Sequence, residues 1–195
     1  MFFRIVLISS LVIVSTVSNA GKYTIYPMTD LELTMLPPYC TPWQKGDEAA
    51  TDAWVKKLSI PNIHHLCKGL NHLNHAIIIT DKTQREYQLN PAIAEFSYII
   101  DHATVKGLLH FPMKGFVLFN RGKARELLGD KTTAISDYQL SIKENPKFTR
   151  SYAALFDIYL SNGKKDNAFK LLEKGLKHSP NSKLLLKKKK QLNVK

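Results

Sequence analysis

Two stretches of the C-terminal half decide the fold: "AISDYQLSIKENP", residues 134–146, and "AFKLLEKGLKHSP", residues 168–180. They end in Pro146 and Pro180, which are 180 − 146 = 34 residues apart, and both begin with alanine. Self-similarity at a fixed period of roughly 20 to 50 residues is the sequence signature of a stacked-repeat protein. The two stretches therefore predict two consecutive copies of one structural unit.

Each predicted unit consists of two helices joined by a tight turn. Gly129-Asp130 forms the turn of the first unit, and Asn162-Gly163 forms that of the second. Glycine is favoured where a helix ends, and a proline after the second helix stops it. The predicted helices are residues 115–128, 131–144, 149–161 and 165–178.

The characteristic residues of the two units are Leu118, Gly122, Ala134, Tyr138 and Pro146 in the first unit, and Tyr152, Tyr159, Ala168 and Pro180 in the second. Among them Gly122, Ala134 and Ala168 are small, which allows two helices to approach closely. With these residues the two units resemble tetratricopeptide repeats, which are 34-residue helix–turn–helix elements that stack into an all-α solenoid. Arg125 stands where the family usually has an aromatic residue, and Phe156 stands where it usually has Gly or Ala, so we expect local repacking at both.

The resemblance extends, more weakly, to both sides of these units. Ala92-Ile93-Ala94-Glu95-Phe96 is similar to Ala134-Ile135-Ser136-Asp137-Tyr138, so residues 91–109 are expected to form the second helix of an earlier, divergent unit. Residues 78–90 are expected to be a long join before it, and residues 47–58 a short helix. The expected segments are 21–62 irregular with short helices, 63–112 a divergent unit, 115–148 and 149–182 the two repeats, and 183–195 a basic capping helix.

The N-terminus has the pattern of a secretory signal peptide over residues 1–20. Arg4 precedes an apolar run from Ile5 to Val17, and Ser18-Asn19-Ala20 then supplies small residues before a cleavage site at Gly21. We therefore expect an exported, periplasmic protein, and the alternative is an uncleaved N-terminal membrane anchor. The order of LPPYC, HHLCKGLNHLNHA and AEFSYII also resembles a group of exported proteobacterial proteins with tetratricopeptide repeats.

The chain carries a formal net charge of +12. Such a balance favours acidic partners, whether an acidic peptide or an anionic surface. Export argues against intracellular nucleic acid as the partner. The lysines Lys187–Lys190 are expected to be a solvated face of the capping helix, and the alternative is a dedicated site for a polyanion. The oligomeric state stays open.

The stretch "HHLCKGLNHLNHA", residues 64–76, has the composition of a metal site. On a helix with about 100° per residue, the apolar residues form one stripe and the four histidines lie on the opposite, polar side. Zinc needs three or four ligands that converge, which this arrangement does not supply. We predict no metal or cofactor, and the alternative is an envelope protein that handles metal or haem. The stripe is Ile63, Leu66, Leu70, Leu73 and Ile77; the histidines are His64, His65, His72 and His75.

Cys40 and Cys67 are the two cysteines of the chain. Two cysteines in an exported protein favour one disulfide over two free thiols. A Cys40–Cys67 bond would fasten the proline-rich segment around LPPYC, expected to be extended and irregular, to the helix that starts near residue 63. The alternative is a pair of unpaired buried thiols.

No catalytic signature is present: the chain has neither Gly-x-Ser-x-Gly nor Gly-x-x-x-x-Gly-Lys. The sequence therefore predicts a non-catalytic scaffold. In the family it resembles, the first helix of each unit lines a concave groove that binds a protein or peptide, here with acidic and apolar side chains. Phe116 and Phe119 could instead pack against the preceding helix. The resemblance places in the groove Phe116, Phe119, Lys123, Arg150, Ala153, Asp157 and Lys187.

Overall fold

The computed structural model describes residues 27–60, 62–105 and 111–192, and this part of the chain is helical, without a strand. The signal peptide predicted for residues 1–20 and its cleavage before Gly21 lie outside the described residues. None of the helices in the described part is both long enough and apolar enough to cross a membrane. The helices are α1 (Asp30–Thr34), α2 (Cys40–Gln44), α3 (Glu48–Leu58), α4 (Ile63–Ile78), α5 (Lys82–Val105), α6 (Lys114–Leu128), α7 (Lys131–Glu144), α8 (Thr149–Ser161), α9 (Lys165–His178) and α10 (Lys183–Leu192).

From α4 onwards each helix packs against its successor in the chain, and α10 packs on both α8 and α9. Such nearest-neighbour packing defines a solenoid, and a terminal helix that covers the last repeat protects its apolar side. Two clusters of buried side chains follow the stack, one centred on α4 and α5 and the other on α7, α8 and α9. The predicted all-α solenoid with a C-terminal capping helix is confirmed.

The helices of the two repeats lie within one residue of their predicted bounds. Gly129 ends α6 with a φ of 93°, and Gly163 adopts a φ of 73° between α8 and α9. Both angles fall in the left-handed region, where glycine has no steric penalty. Asp130 then caps α7, because its carboxylate accepts a hydrogen bond from the Thr133 amide at 3.2 Å. Local chemistry thus fixes where each repeat turns.

The pair α4 and α5 repeats the packing of α6 and α7. A β-carbon added to Gly69 of α4 would lie 2.8 Å from the ring of Phe96, and one added to Gly122 of α6 would lie 2.9 Å from the ring of Tyr138. In both pairs a glycine on the first helix receives an aromatic ring from the second. The similarity of residues 92–96 to residues 134–138 therefore reflects an equivalent helix contact.

The second helix of this N-terminal unit begins earlier than the sequence indicates. We expected a join over residues 78–90, but α5 starts at Lys82 and continues through Pro91. Asp81 caps its start, with the Gln84 amide donating to the carboxylate at 2.8 Å. Proline removes one backbone hydrogen bond from a helix interior, which the sequence pattern treats as a boundary. Leu89 and Ala92, both fully buried on either side of Pro91, are held in one helix by the packing of the unit.

A buried carboxylate explains the unusual Arg125. Asp137 of α7 is 1% exposed and accepts hydrogen bonds from Arg121 at 2.7 and 3.0 Å and from Arg125 at 2.8 Å. Arg121 also donates to the Ser97 hydroxyl at 3.2 Å, which links the cluster to α5. Arg125 therefore replaces the usual aromatic contact with an ion pair between the two helices of the repeat.

The unusual Phe156 places the larger side chain of a corresponding residue pair on the first helix of the repeat instead of on the second. Gly122 and Tyr138 of the first repeat correspond, 34 residues later, to Phe156 and Leu172. Both residues of the second repeat are buried, Phe156 completely. The aromatic ring has moved from the second helix to the first, so the interior of the repeat stays filled. Close packing requires such compensation because protein interiors leave few voids.

The N-terminal segment is attached to α4 by a disulfide between Cys40 and Cys67, whose Cα atoms are 5.6 Å apart. The predicted bond is confirmed. The segment itself is more regular than expected, since Cys40, Pro42 and Trp43 belong to α2 rather than to an extended loop. Proline is tolerated in the first turn of a helix because the amides there have no intrahelical acceptor. Cys40 and Trp43 are buried, so α2 is fixed by both the bond and its packing.

Candidate functional site

The first helices of successive units lie on one side of the stack, which we call the first-helix face. Contacts between α4 and α6 and between α8 and α10 place them there. Phe148 connects the middle pair, because it precedes the first residue of α8 and its ring meets two rings of α6. The residues predicted to bind a partner belong to α6, α8 and α10.

An aromatic cluster occupies the α6–α8 junction of this face. The ring centroid of Phe148 lies 5.3 Å from that of Phe119 and 6.3 Å from that of Phe116, both with edge-to-face geometry. Phe119 also lies 5.7 Å from the ring of Tyr138 on α7. All three phenylalanines are half-buried. The sequence analysis missed Phe148, although its position directly before the first helix of a repeat was a usable signal.

Lys123 is one turn beyond Phe119 and forms an ion pair within its own helix. Its ammonium lies 3.4 Å from the Glu126 carboxylate, which also accepts a hydrogen bond from the Tyr138 hydroxyl at 2.6 Å. Burial, followed by this hydrogen bond and the nearby carboxylates, raises the pKa of Tyr138 well above its usual range, so the phenol stays protonated. The positive charge of Lys123 is therefore largely balanced before any partner arrives.

Arg150 lies near the start of α8, two residues after Phe148. Its side chain is exposed and forms no ion pair with any residue in the described part of the chain. Ala153 is also on α8 but is buried, so it contributes packing and not an accessible surface. Of the two cations that the sequence places on α6 and α8, Arg150 is the one whose charge is open to a ligand.

The capping helix contributes a different lysine from the one predicted. Lys188 donates to both carboxylate oxygens of Asp157 at 2.6 and 2.7 Å, whereas Lys187 is exposed and lies elsewhere on α10. Leu185 is fully buried and fixes the rotation of α10, and the residue one turn later on the same side is Lys188. Asp157 therefore connects α8 to the cap.

The histidines of α4 do not form an exposed polar face. His65 pairs through Nδ1 with Glu95 of α5, His72 contacts the Gln88 side chain of α5 at 2.7 Å, and His75 lies 2.8 Å from Glu32 of α1. The four histidines of the predicted polar side are half-buried, because α1, α2 and α5 pack around α4. Ile77, placed on the apolar stripe by the sequence, is in turn 56% exposed, and Ala76 is buried instead.

Stacked rings continue from α4 onto α5. The centroids of His64 and His65 are 4.3 Å apart, those of His65 and Tyr98 are 3.8 Å apart, and those of Tyr98 and His102 are 3.6 Å apart. The sequence analysis gave no role to Tyr98 and His102, although their spacing of one helical turn places them on one side of α5. The stack therefore packs histidines of α4 against aromatic side chains of α5.

His64 and Glu32 have strongly perturbed pKa values with different causes. Burial, and then the positive charges of His65 and Lys68, lower the pKa of His64 to about 4. Burial raises the pKa of Glu32, but hydrogen bonds from Thr29 and Asn71 and the charge of His75 outweigh it and lower this pKa to about 2. His64 is therefore neutral and Glu32 ionised near neutral pH.

In residues 27–60, 62–105 and 111–192, no three His, Cys, Asp or Glu side chains converge as a metal-ion ligand set. The two cysteines are joined in the disulfide and offer no thiolate. The histidines of α4 are directed to three neighbouring helices instead of to one point. The arrangement is that of a packed helix, and the first-helix face is the stronger candidate for binding.

The comparisons with known proteins agree with this geometry. Residues 117–148, which cover α6 from Val117 onwards, α7 and the loop before α8, match the family model described as a tetratricopeptide repeat. No curated protein and no solved structure matches the chain significantly. The match covers the first of the two repeats. The signature residues of this repeat indicate the same family.

Proposed function

We propose that this tetratricopeptide-repeat protein is a non-catalytic scaffold of the cell envelope that binds an extended protein segment on its first-helix face. The repeat itself indicates a protein-interaction scaffold. An envelope location is supported by the leader pattern of residues 1–20 and by a disulfide, which persists in oxidising compartments.

The observation that carries the proposal is the aromatic cluster beside an open cation. Phe116, Phe119 and Phe148 are half-buried at the α6–α8 junction, and Arg150 extends from the start of α8. Aromatic residues and arginine are enriched among the side chains that dominate binding energy at protein interfaces. Their combination favours a partner that presents an apolar side chain next to an acidic one.

The ion pairs on this face reduce the number of charges that remain open to a partner. Lys123 is balanced by Glu126, and Asp157 by Lys188. A partner rich in acidic residues would therefore meet one open charge on α6 and α8 instead of the several that the sequence alone indicates. We expect one carboxylate of the partner to pair with Arg150, with most of the remaining affinity supplied by contact with the phenylalanines.

The test is affinity capture of the partner from the organism's own cell envelope, followed by mass spectrometry. Arg150→Glu should reduce capture tenfold or more, which corresponds to about 1.4 kcal/mol. Lys131→Glu is the matched control, because Lys131 is equally exposed but starts α7, a second helix of a repeat. Both variants should unfold at the same denaturant concentration as the wild type, since exposed substitutions usually cost little stability. Equal capture by the two variants would contradict the proposed binding face.

The envelope location has its own test. Intact mass of the protein recovered from the periplasmic fraction should correspond to a chain that begins at Gly21. Recovery only from the cytoplasm would contradict the location without affecting the binding face.

A further inference from the structure

The positive charge of the chain is concentrated at its C-terminal end. Residues 164–195 contain eleven lysines and two acidic residues, so they carry 11 − 2 = +9 of the total +12. The preceding 163 residues together carry the remaining +3. Because α9 and α10 lie in this segment, one end of the solenoid is strongly cationic while the rest is nearly balanced.

The helices α9 and α10 pack against each other, and we call their exposed sides the α9–α10 surface. A β-carbon on Gly175 would lie 2.8 Å from the Leu185 side chain, which shows how closely the helices cross. Lys165, at the other end of α9, lines a small cavity with Gln191 and Leu192 of α10. The start of α9 thus lies beside the end of α10, and the two helices run antiparallel.

Three large apolar side chains are exposed on these two helices. Phe169 is 45% exposed, Leu184 is 36% exposed and Leu186 is 41% exposed. Leu184 and Leu186 flank the buried Leu185, and about 100° per residue turns them to either side of it. Because residues three and four apart are neighbours on a helix, Leu186 lies beside Lys183, Lys189 and Lys190.

Most of the lysines on α10 are open to solvent. Lys187, Lys189 and Lys190 are exposed and form no ion pair with residues in the described part of the chain, whereas Lys188 is held by Asp157. The exposed lysines of α9 are Lys165, Lys170, Lys174 and Lys177. The surface therefore combines unneutralised cations with exposed leucine and phenylalanine side chains.

We propose that the α9–α10 surface binds an anionic lipid bilayer. Helices that lie in a membrane interface combine lysines, which meet anionic headgroups, with apolar side chains that enter the boundary of the acyl region. A soluble polyanion would be attracted by the lysines but would make no apolar contact with the exposed leucines. The charge and the apolar side chains together fit a lipid surface better, and the proposal does not depend on the first-helix face.

The experiment is co-sedimentation of the full chain with two kinds of vesicle, one of phosphatidylcholine and one of equal parts phosphatidylcholine and phosphatidylglycerol. The measured quantity is the ratio of binding to the anionic and the neutral vesicles. Residues 1–26 are the same in every variant, so a difference between two variants reports the substituted residues and not this segment. We expect a wild-type ratio of at least tenfold, falling as salt screens the attraction.

Two variants separate charge from apolar contact. The triple variant Lys187→Gln, Lys189→Gln, Lys190→Gln should lower the ratio at least fivefold; it leaves Lys188 and its ion pair intact. Its control removes three exposed lysines elsewhere, Lys56→Gln, Lys131→Gln and Lys143→Gln, and should keep the wild-type ratio.

The second variant is Leu184→Gln with Leu186→Gln, which should lower binding to the anionic vesicles several-fold without changing the charge. Its control is Leu31→Gln with Met35→Gln, an exposed apolar pair formed by a residue of α1 and the residue after its end, and should bind as the wild type does. Circular dichroism of each variant should match the wild-type helix content, so that a loss reports binding and not unfolding.

Three outcomes overturn the proposal. Equal binding of the wild type to both kinds of vesicle shows that the cationic surface is not used. Equal loss in a variant and its control shows a dependence on overall charge or apolarity instead of on this surface. The third outcome uses soluble polyphosphate as a second probe. If the leucine variant binds anionic vesicles as the wild type does, and the lysine variant loses binding both to these vesicles and to polyphosphate, the surface is a site for a soluble polyanion and not for a bilayer.

Discussion

Gly69 against Phe96 and Gly122 against Tyr138 are the same helix contact in two different surroundings. In the N-terminal unit, α4 and α5 with the segment that packs on them, the surroundings are a disulfide, a stack of imidazole and phenol rings, and histidine–carboxylate pairs. In the first repeat they are a buried aspartate shared by two arginines. The same helix–helix contact thus lies beside a disulfide, which joins α2 to α4, and histidine contacts in one unit, and beside arginine–aspartate ion pairs in the other.

The two units should therefore respond to different solution conditions. Arginine does not lose its charge at any ordinary pH, and the disulfide lies outside the first repeat, so the repeat should respond little to reductant. The N-terminal unit contains a bond that reductant breaks and a buried histidine, His64, whose pKa is lowered from its ordinary value of 6.5 to about 4. We therefore expect the two parts to differ in redox and pH response, although their helix pairs pack alike.

Removal of the disulfide should have the largest effect. The variant Cys40→Ala with Cys67→Ala frees a chain segment whose ends are 27 residues apart, which costs about 3.5 kcal/mol of unfolding free energy on the chain-entropy relation. Chemical denaturation measures this loss, and hydrogen exchange should locate it in α2 and α4 while α7, α8 and α9 keep their protection. Reduction of the wild type should give the same result. A loss of unfolding free energy under about 1 kcal/mol, or a loss spread evenly over both units, would contradict the expected difference between the two units.

Neutralising the buried aspartate should be the corresponding change in the first repeat. Asp137→Asn leaves Arg121 and Arg125 without their carboxylate and should destabilise by about 3 kcal/mol, because breaking a buried ion pair strands its partners. Asp157→Asn is the matched control; its pair with Lys188 is much more exposed and should contribute under about 1 kcal/mol. Thermal or chemical denaturation of both variants measures the loss of unfolding free energy. Similar losses in the two variants would show that burial of Asp137 is unimportant.

Filling the two glycine sites tests whether the helix contacts are equivalent. Gly69→Ala and Gly122→Ala each place a methyl group against an aromatic ring, and overpacking of this kind costs about 1–3 kcal/mol. A gain in helix propensity of about 1 kcal/mol offsets part of it, so we expect a net loss of about 1–2 kcal/mol in each. Ser136→Ala, at an exposed position of α7, should be nearly neutral. A neutral effect at one glycine and a large one at the other would break the equivalence.

Acid should weaken the N-terminal unit by the smallest of these amounts. The pKa of His64 is about 4 in the folded chain and near its ordinary value of 6.5 when unfolded, so between these values the unfolded state binds more protons. The contribution of His64 is complete above about pH 6.5 and is lost as the pH falls towards 4. We expect a loss of about 1 kcal/mol after solvent screening.

The measurement is denaturation at about pH 7 and about pH 4.5, a window that lies above the lowered pKa of Glu32. His64→Gln should remove most of the difference, whereas His178→Gln, at an exposed position of α9, should leave it unchanged. The same pH difference in all three proteins would assign the acid response to other groups.

Much of the C-terminal half could be predicted from the sequence because its information is local. The 34-residue period, the glycines after α6 and α8, and the prolines after α7 and α9 act within a few residues, and each helix packs only on near neighbours. The disulfide was predictable for a simpler reason, since the chain has only two cysteines. The family followed from side chains at fixed spacing, and the matching family model over residues 117–148 agrees.

The side chains that surround each helix could be identified only from the tertiary structure. A helical projection gives the polar side of α4, but it does not show that α1, α2 and α5 cover that side and engage His65, His72 and His75. Pro91 was predicted at a helix boundary, yet the packing on both sides of it keeps α5 continuous. The rotation of α10, fixed by Leu185, selects Lys188 over Lys187 as the partner of Asp157. Local pattern determines where helices begin and end, whereas side-chain partners depend on long-range contacts that the spacing of residues does not encode.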